Sequence, residues 1–312
     1  MVMERIYTST ASKLIRNPEK IMEIKEGKLR PQSLQLSPTD VCNLKCPFCS
    51  VWNREQNELK WDTMKDSIEA LKNLGLKTVE LTGGGEPTMY KDINDLIFII
   101  TDGLFHLKCG LITNGTNLKA LTPDSLKRLM WIRISMNCLE QVSDITIPKL
   151  PDTCTLGFSY VWNDTQPKEY NAKMLKKIAD YAKKYKAKYI RVVPNCLSVE
   201  SIKRAREEVP KMIRSIPNTF FQSKEYEAHT NCYMGYLKPF LYSDGYLYQC
   251  SANPLLERRF HPDFRMGHWT QIKQIWANPK PFNTKKCGLC FFKEQNMLIE
   301  DLMQPREHEE FL

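Results

Sequence analysis

What bears hardest on the fold of this chain is a rhythm. From residue 33 onward, short apolar runs alternate with helix-periodic stretches. The strand candidates are 34–38, 78–82 (TVELT), 109–113 (CGLIT), 131–136 (WIRISM), 154–160 (CTLGFSY) and 188–193 (KYIRVV). Helices are expected between them. One begins at Thr63, where Asp66 gives a capping-box-like pair; it carries Met64, Ile68 and Leu71 on one face and stops at Gly75. Others cover roughly 92–102, 123–130, 167–185 and 199–214. Strands alternating with helices form an α/β protein with a parallel sheet and right-handed crossovers. Residues 1–32 read as a charged, partly helical N-terminal extension. Near Ile216-Pro217 the alternation ends, and the rest, rich in Cys, Tyr, Phe and Pro, reads as a second, smaller domain. The expected division is 1–32, 33–220 and 221–312.

A chain of 312 residues can bury a large core, and 42% hydrophobic with 26% charged residues is the composition of a globular protein. No run reaches the roughly 18 uninterrupted apolar residues of a membrane span. The N-terminal MVMERIYTSTASKLIRN lacks the apolar stretch of a signal peptide, so a cytoplasmic location is expected. Eleven cysteines in a reducing compartment argue for metal or redox chemistry rather than disulfides. The net charge of +9 is partly the solvated face of helices, as at Lys173, Lys176, Lys177, Lys183, Lys184 and Lys186. Its sharper reading is an anionic small substrate. No basic run with interleaved aromatics argues for nucleic acid.

Two motifs close apolar strands. Cys42, Cys46 and Cys49 form a CxxxCxxC run after the first, and Thr82-Gly83-Gly84-Gly85-Glu86-Pro87 follows the second. Three cysteines at this spacing can hold three irons of a [4Fe–4S] cluster and leave the fourth open to a small molecule, whereas most such clusters are fully ligated by thiolates. Zinc usually takes CxxC pairs, not a lone triplet. The pair of motifs resembles the radical S-adenosylmethionine (SAM) enzymes, whose signature is CxxxCxΦC with an aromatic at Φ, here Phe48, followed by a "GGE"-type loop. The resemblance implies a partial (β/α)6 TIM-like barrel with its chemistry at the C-terminal strand ends. It further implies SAM as cofactor and an electron donor such as flavodoxin or ferredoxin. It also assigns site residues. Backbone groups of Gly84, Gly85 and Glu86 meet the SAM amino group, and Ser135 and Asn137 serve the ribose and carboxylate. Phe48, Val193 and Asn195 border the adenine, and Gly157 keeps a place beside it small. Asn114-Gly115 reads as a turn first and a SAM contact second.

A second cysteine set lies downstream. Cys232 and Cys250 flank Ser243-Asp244-Gly245, where Asp-Gly favours a hairpin turn that would bring them together; Cys287 and Cys290 form a CxxC. Four thiolates suit a zinc ion or a [4Fe–4S] cluster, and spacing alone does not choose. The layout is similar to the small α+β twitch domain, the shortened SPASM domain of radical SAM enzymes, which implies one auxiliary [4Fe–4S] cluster. In cysteine layout it resembles the 2-deoxy-scyllo-inosamine dehydrogenases. The expected chemistry is therefore a two-electron oxidation of a small metabolite, with modification of a peptide as the rival and a zinc-binding regulatory or nucleic-acid protein as the rival of another class. Arg191 and His229 are the candidates for the reacting site, the arginine more naturally as an anion holder than as a base. Cys109 and Cys154 read as core, while Cys138 and Cys196 follow strand ends near the expected site.

Overall fold

A computed structural model describes residues 2–224, 230–252, 258–287, 290–305 and 307. Its frame is a run of parallel strands: β1 (Ser33–Leu36), β2 (Thr78–Leu81), β3 (Lys108–Thr113), β4 (Leu129–Ser135), β5 (Thr155–Trp162), β6 (Tyr189–Pro194) and β7 (Thr219–Phe221), each paired with the next. The rhythm gave six of these. The seventh is the three-residue TFF, which follows Asn218 at φ +53° and falls where the alternation is interrupted. Beyond it come β8 (Asn231–Cys232), β9 (Phe240–Leu241), β10 (Tyr246–Tyr248), β11 (Arg265–His268) and β12 (Phe282–Asn283). β9 pairs parallel with β1, and β10 and β11 follow antiparallel, so the sheet reaches ten strands in the order β11-β10-β9-β1-β2-β3-β4-β5-β6-β7. It is a mostly parallel, partial TIM-like barrel in which β7 and β11 are open edges. The hairpin expected at Asp244-Gly245 joins β9 to β10, with Gly245 at φ +83° and the Tyr246 N–H donating to Asp244 Oδ1 at 3.0 Å.

Three short N-terminal helices, α1 (Val2–Tyr7), α2 (Thr10–Ile15) and α3 (Pro18–Lys25), precede the barrel. The crossovers carry α4 (Trp61–Asn73), α5 (Ile93–Phe98), α6 (Pro123–Arg128), α7 (Lys168–Lys184) and α8 (Val199–Met212), and the C-terminal part adds α9 (Met234–Leu237), α10 (Ile272–Ala277) and α11 (Lys293–Met303). One start is corrected. α4 begins at Trp61 with Lys60 at its N-cap and no side-chain cap bond, so Thr63 lies inside the first turn, where its carbonyl accepts from Ser67 Oγ at 2.6 Å. The helix ends where expected, with Gly75 at φ +116° just past it.

Strand alternation decides what the barrel encloses. Leu34, Leu36, Val79, Leu81, Leu111, Ile132, Ile134, Phe158 and Val192 are buried in the main hydrophobic core. The intervening residues Gln35, Glu80, Arg133, Val161, Arg191 and Val193 line a cavity of about 1170 Å³. A typical TIM barrel fills its interior with branched apolar side chains; this one keeps a polar lumen. The N-terminal helices help to line it: Tyr7 stacks on Tyr189 at 4.4 Å, and Thr8 Oγ1 accepts from Gln222 Nε2 at 3.1 Å.

Candidate active site

The first cysteine loop leaves β1 and turns tightly, the Cys49 N–H donating to the Cys46 carbonyl at 3.0 Å. All three thiols are free and partly exposed. Each sulfur faces a nitrogen donor. Arg54 Nη2 lies 3.1 Å from Cys49 Sγ, Gln141 Nε2 3.2 Å from Cys46 Sγ, and Asn114 Nδ2 4.0 Å from Cys42 Sγ. Burial pushes the Cys42 thiol up, and burial together with the neighbouring Cys49 pushes Cys46 up to about 11. Thiols so placed ionise when a positive centre binds them. Among the described residues no three His, Cys, Asp or Glu side chains converge as ligands of one metal ion. A four-iron cube takes each thiolate at a separate iron and so wants its sulfurs further apart. Three thiols on one loop, each with a donor at its sulfur, fit such a group.

The GGGEP loop is bolted to that cysteine loop. Gly84 N–H donates to Ser37 Oγ at 2.9 Å, Gly85 N–H to the Thr39 carbonyl at 3.2 Å, and Glu86 N–H to the Val41 carbonyl at 2.8 Å. With these donors engaged, the loop offers a ligand its carbonyls. One of them, Gly84 O, accepts from Arg54 Nε at 2.9 Å, so a single guanidinium spans from Cys49 to the glycine loop. The chain's own packing also requires glycine here. A Cβ on Gly84 would stand 2.3 Å from the Tyr242 ring, and one on Gly85 2.1 Å from the Val41 carbonyl. Glu86 is buried, and its carboxylate accepts from Thr113 Oγ1 (2.6 Å), Thr88 Oγ1 (2.7 Å), Thr88 N–H (3.1 Å) and Asn114 N–H (2.6 Å). It ties the loop to the end of β3.

The remaining assigned residues fall at different depths. Phe48 and Val193 line the lumen. Ser135 Oγ has a long 3.5 Å contact with Ser159 Oγ. Asn137 is buried and employed: its amide donates to Glu140 and to the Val161 carbonyl and accepts from the Val161 N–H at 2.7 Å. Asn195 is likewise buried, its Oδ1 accepting from Leu197 N–H at 3.1 Å. Gly157 sits near the start of β5, and the Tyr189 ring fills the space where its side chain would be, 2.1 Å from an added Cβ. Arg191 faces the lumen, its pKa pushed down to about 9 by burial and by Arg133. His229 lies outside the described residues. Cys109, Cys138 and Cys154 are buried in the core.

The second cysteine set is gathered by the β8–β12 pair, in which Cys232 stands opposite Phe282. Cys232, Cys250, Cys287 and Cys290 line one cavity of about 120 Å³ with Phe264 and Phe282. Nitrogen donors again meet sulfur: Ala252 N–H to Cys250 at 3.1 Å, Asn296 Nδ2 to Cys232 and Phe292 N–H to Cys290, both at 3.4 Å. Burial raises all of Cys232, Cys250 and Cys287, the last to about 12. The donor set fits a four-thiolate centre.

Two contacts carried no sequence signal. One is Arg54. The other is Arg258, at φ +55°, whose guanidinium donates to the carbonyls of Pro47 (2.7 Å) and Cys49 (2.9 Å) and whose own carbonyl accepts from the Trp52 and Asn53 N–H groups. Its guanidinium also lies 4.7 Å from the Trp52 ring centroid.

A three-cysteine loop is thus locked to a glycine loop at the C-terminal mouth of a partial barrel. Residues 36–184 match the family model described as the Radical SAM superfamily. Among curated proteins it is similar to the GTP 3',8-cyclase of Campylobacter fetus subsp. fetus, 29% identical over 183 residues, 52% of this chain and 56% of that protein. It is also similar to the probable GTP 3',8-cyclase of Pyrococcus abyssi, 35% identical over 113 residues, 35% of this chain and 36% of that protein. The chain thus spans about half, or less, of the length of the curated relatives it matches. Among solved structures, Streptococcus suis SuiB superposes with a TM-score of 0.58 at 16% identity, over 97% of this chain and 83% of that one. SuiB bound to S-adenosylmethionine gives 0.52 at 18%, over 79% and 67%. At those identities the likeness is one of fold. Among the described residues no helix is long and apolar enough to cross a membrane.

Proposed function

We propose that this chain cleaves SAM reductively and uses the resulting carbon radical to take a hydrogen atom from a small metabolite in a two-electron oxidation. The observation that carries the reading is the Arg54 bridge, which fixes the Cys49 sulfur and the Gly84 carbonyl to one another at the mouth of a polar lumen. Cys42, Cys46 and Cys49 would hold a [4Fe–4S] cluster, which when bound supplies the electron that splits the SAM sulfonium into methionine and a 5′-deoxyadenosyl radical. Cys232, Cys250, Cys287 and Cys290 would hold a second [4Fe–4S] cluster, an acceptor for the electron that oxidation of the substrate releases.

The chain's own residues position the reactants. Carbonyls of the Gly84–Glu86 loop accept hydrogen bonds from the SAM ammonium, a polarity that suits a loop whose N–H groups are already engaged. Phe48 and Val193 give the adenine an apolar wall. The Ser135 hydroxyl serves the ribose, while Asn137 and Asn195 shape the strand ends that border it. Gly157 keeps the barrel open to the Tyr189 ring below them. Arg191 stays protonated at neutral pH and holds an anion rather than taking a proton. His229 is the candidate base. A reduced donor of the flavodoxin or ferredoxin class would feed the site.

The test is replacement of Cys42, Cys46 and Cys49 together by alanine. Anaerobically reconstituted wild-type protein should contain about eight irons and form 5′-deoxyadenosine under dithionite. The triple variant should keep about half the iron and form none; deoxyadenosine persisting in it would end the radical reading. A second reading comes from the printed name of the curated relatives. In it the same hydrogen abstraction opens a ring closure on a nucleotide. A product of unchanged mass, rather than one lighter by two hydrogens, would favour it.

A further inference from the structure

The lumen holds an electrostatic arrangement that SAM chemistry does not explain. Arg133 on β4 and Arg191 on β6 both point into it. The Nε of each is buried and has no hydrogen-bond partner. Buried polar atoms are almost always bonded, and a buried guanidinium most of all. Among the described residues neither arginine pairs with a carboxylate. Arg191 Nη1 reaches only Gln222 Oε1 at 3.1 Å, and Lys224 Nζ leans on that same oxygen at 3.3 Å. Arg133 lies over the Trp131 ring, 5.6 Å from its centroid. The carboxylate that could have served them, Glu80, is taken: Lys238 Nζ sits 2.8 Å from it and Gln35 Nε2 3.3 Å. Lys224 feels the charge of Glu4 on α1.

We propose that Arg133, Arg191 and Lys224 form a receptor for the phosphoryl group of a phosphorylated small substrate; the proposal rests on the reading of this lumen as the substrate site. Two planar forks and an ammonium face one region, and among the described residues none of the three is hydrogen-bonded to a carboxylate. A phosphoryl group brings two charges and three terminal oxygens, enough to engage both forks side-on and the lysine end-on. A carboxylate brings one charge and two oxygens and would leave two of the three cations uncompensated, where a phosphoryl group leaves one. The physical state of the groups agrees. Burial, then Arg191, depresses Lys224 to about 8, and Arg191 is itself depressed by burial and Arg133. These cations repel one another until an anion arrives. Placement sets the substrate's size. Arg191 lies three residues below the end of β6, roughly 10 Å at the rise of a strand. A phosphate held there leaves the carbon skeleton lying along the lumen, with its far end beside Phe48 and Gly83, where a radical would be formed.

The experiment is a calorimetric titration of anaerobically reconstituted full-length protein with inorganic phosphate and pyrophosphate, and with malonate as a dicarboxylate control. Wild-type protein should bind a phosphate anion saturably and malonate at least tenfold more weakly. Arg133→Gln and Arg191→Gln should each weaken phosphate binding at least tenfold, with iron content and far-UV dichroism unchanged. Wild-type protein alone supplies a second measurement that needs no variant to fold: phosphate should shield Arg133 and Arg191 from phenylglyoxal, mapped by mass spectrometry. Undiminished binding in both variants, no shielding, or malonate bound as tightly as phosphate would overturn the proposal. Deoxyadenosine formation by the wild type separates the two readings. Turnover of SAM without phosphate binding sinks this proposal alone, and phosphate binding without SAM cleavage sinks the radical reading alone.

Discussion

At the scale of single residues, Glu86 carries more structure than its place in a ligand loop suggests. Its buried carboxylate is the common acceptor for four donors from Thr88, Thr113 and Asn114. Burial favours its protonated form and raises its pKa, and the four donors work against that shift. Glu86→Ala should strand those donors and lower unfolding stability by about 2–4 kcal/mol, read by urea denaturation. A loss under 1 kcal/mol would show that water or a shifted loop replaces the carboxylate. Spacing marked the seven cysteines as two candidate sets, since metal chemistry dictates residue type at short intervals, and the fold brings each set together. Glu86's partners could not, because Thr113 and Asn114 come from another strand end. Arg54 and Arg258 were invisible for the same reason: an arginine in a loop has no periodicity, and its role exists only where two distant loops meet.

Elements tell a similar story. The strands of the parallel run emerged within a few residues of their positions because apolar alternation reports burial directly. β7 escaped because three residues are too few to show a period. The start of α4 was misplaced because Thr63 and Asp66 have the right chemistry for a cap, while Trp61 packs against the core and pulls the helix back by two residues. The glycine loop was readable as a loop. That Tyr242, far along the chain, presses against Gly84 was not. This contact gives a prediction. Gly84→Ala should destabilise the protein by about 1–3 kcal/mol through overpacking. Adding Tyr242→Ala should cost less than the sum of the two single changes, the sign of a relieved clash. Strict additivity in that cycle would place the two residues apart.

Across the whole molecule, Glu80 joins parts far apart in sequence. Lys238 from the C-terminal segment and Gln35 from β1 bond to it, and its charge is felt by Lys13 of the N-terminal helices. Burial pushes its carboxyl up, but Lys238, Arg133 and Lys13 outweigh burial and leave its pKa below the usual glutamate value. A carboxyl lowered on folding stabilises above its unfolded pKa and loses that contribution only as pH falls through the lowered value. Glu80→Gln should therefore cost about 1–3 kcal/mol, with a gap from wild type that stays flat between pH 8 and 6. A gap that closes within that window would contradict the lowered pKa. The polar lumen that Glu80 faces could not be foreseen from composition, since the inward positions only become a set once register aligns them.

Arg258 has a consequence for assembly. It follows Cys250 along the chain, yet it grips the carbonyls of Pro47 and Cys49 and is gripped in turn by the Trp52 and Asn53 amides. Arg258 thereby ties a residue from the C-terminal part of the chain to the first cysteine loop. A chain whose C-terminal site is empty or oxidised should hold its first loop slackly, and Arg258→Ala should reproduce that slackness, measured as faster loss of iron to a chelator from the first site. If both cysteine sets hold clusters as proposed, such a tie would act as a safety catch, since only a fully furnished protein would carry a firm first loop.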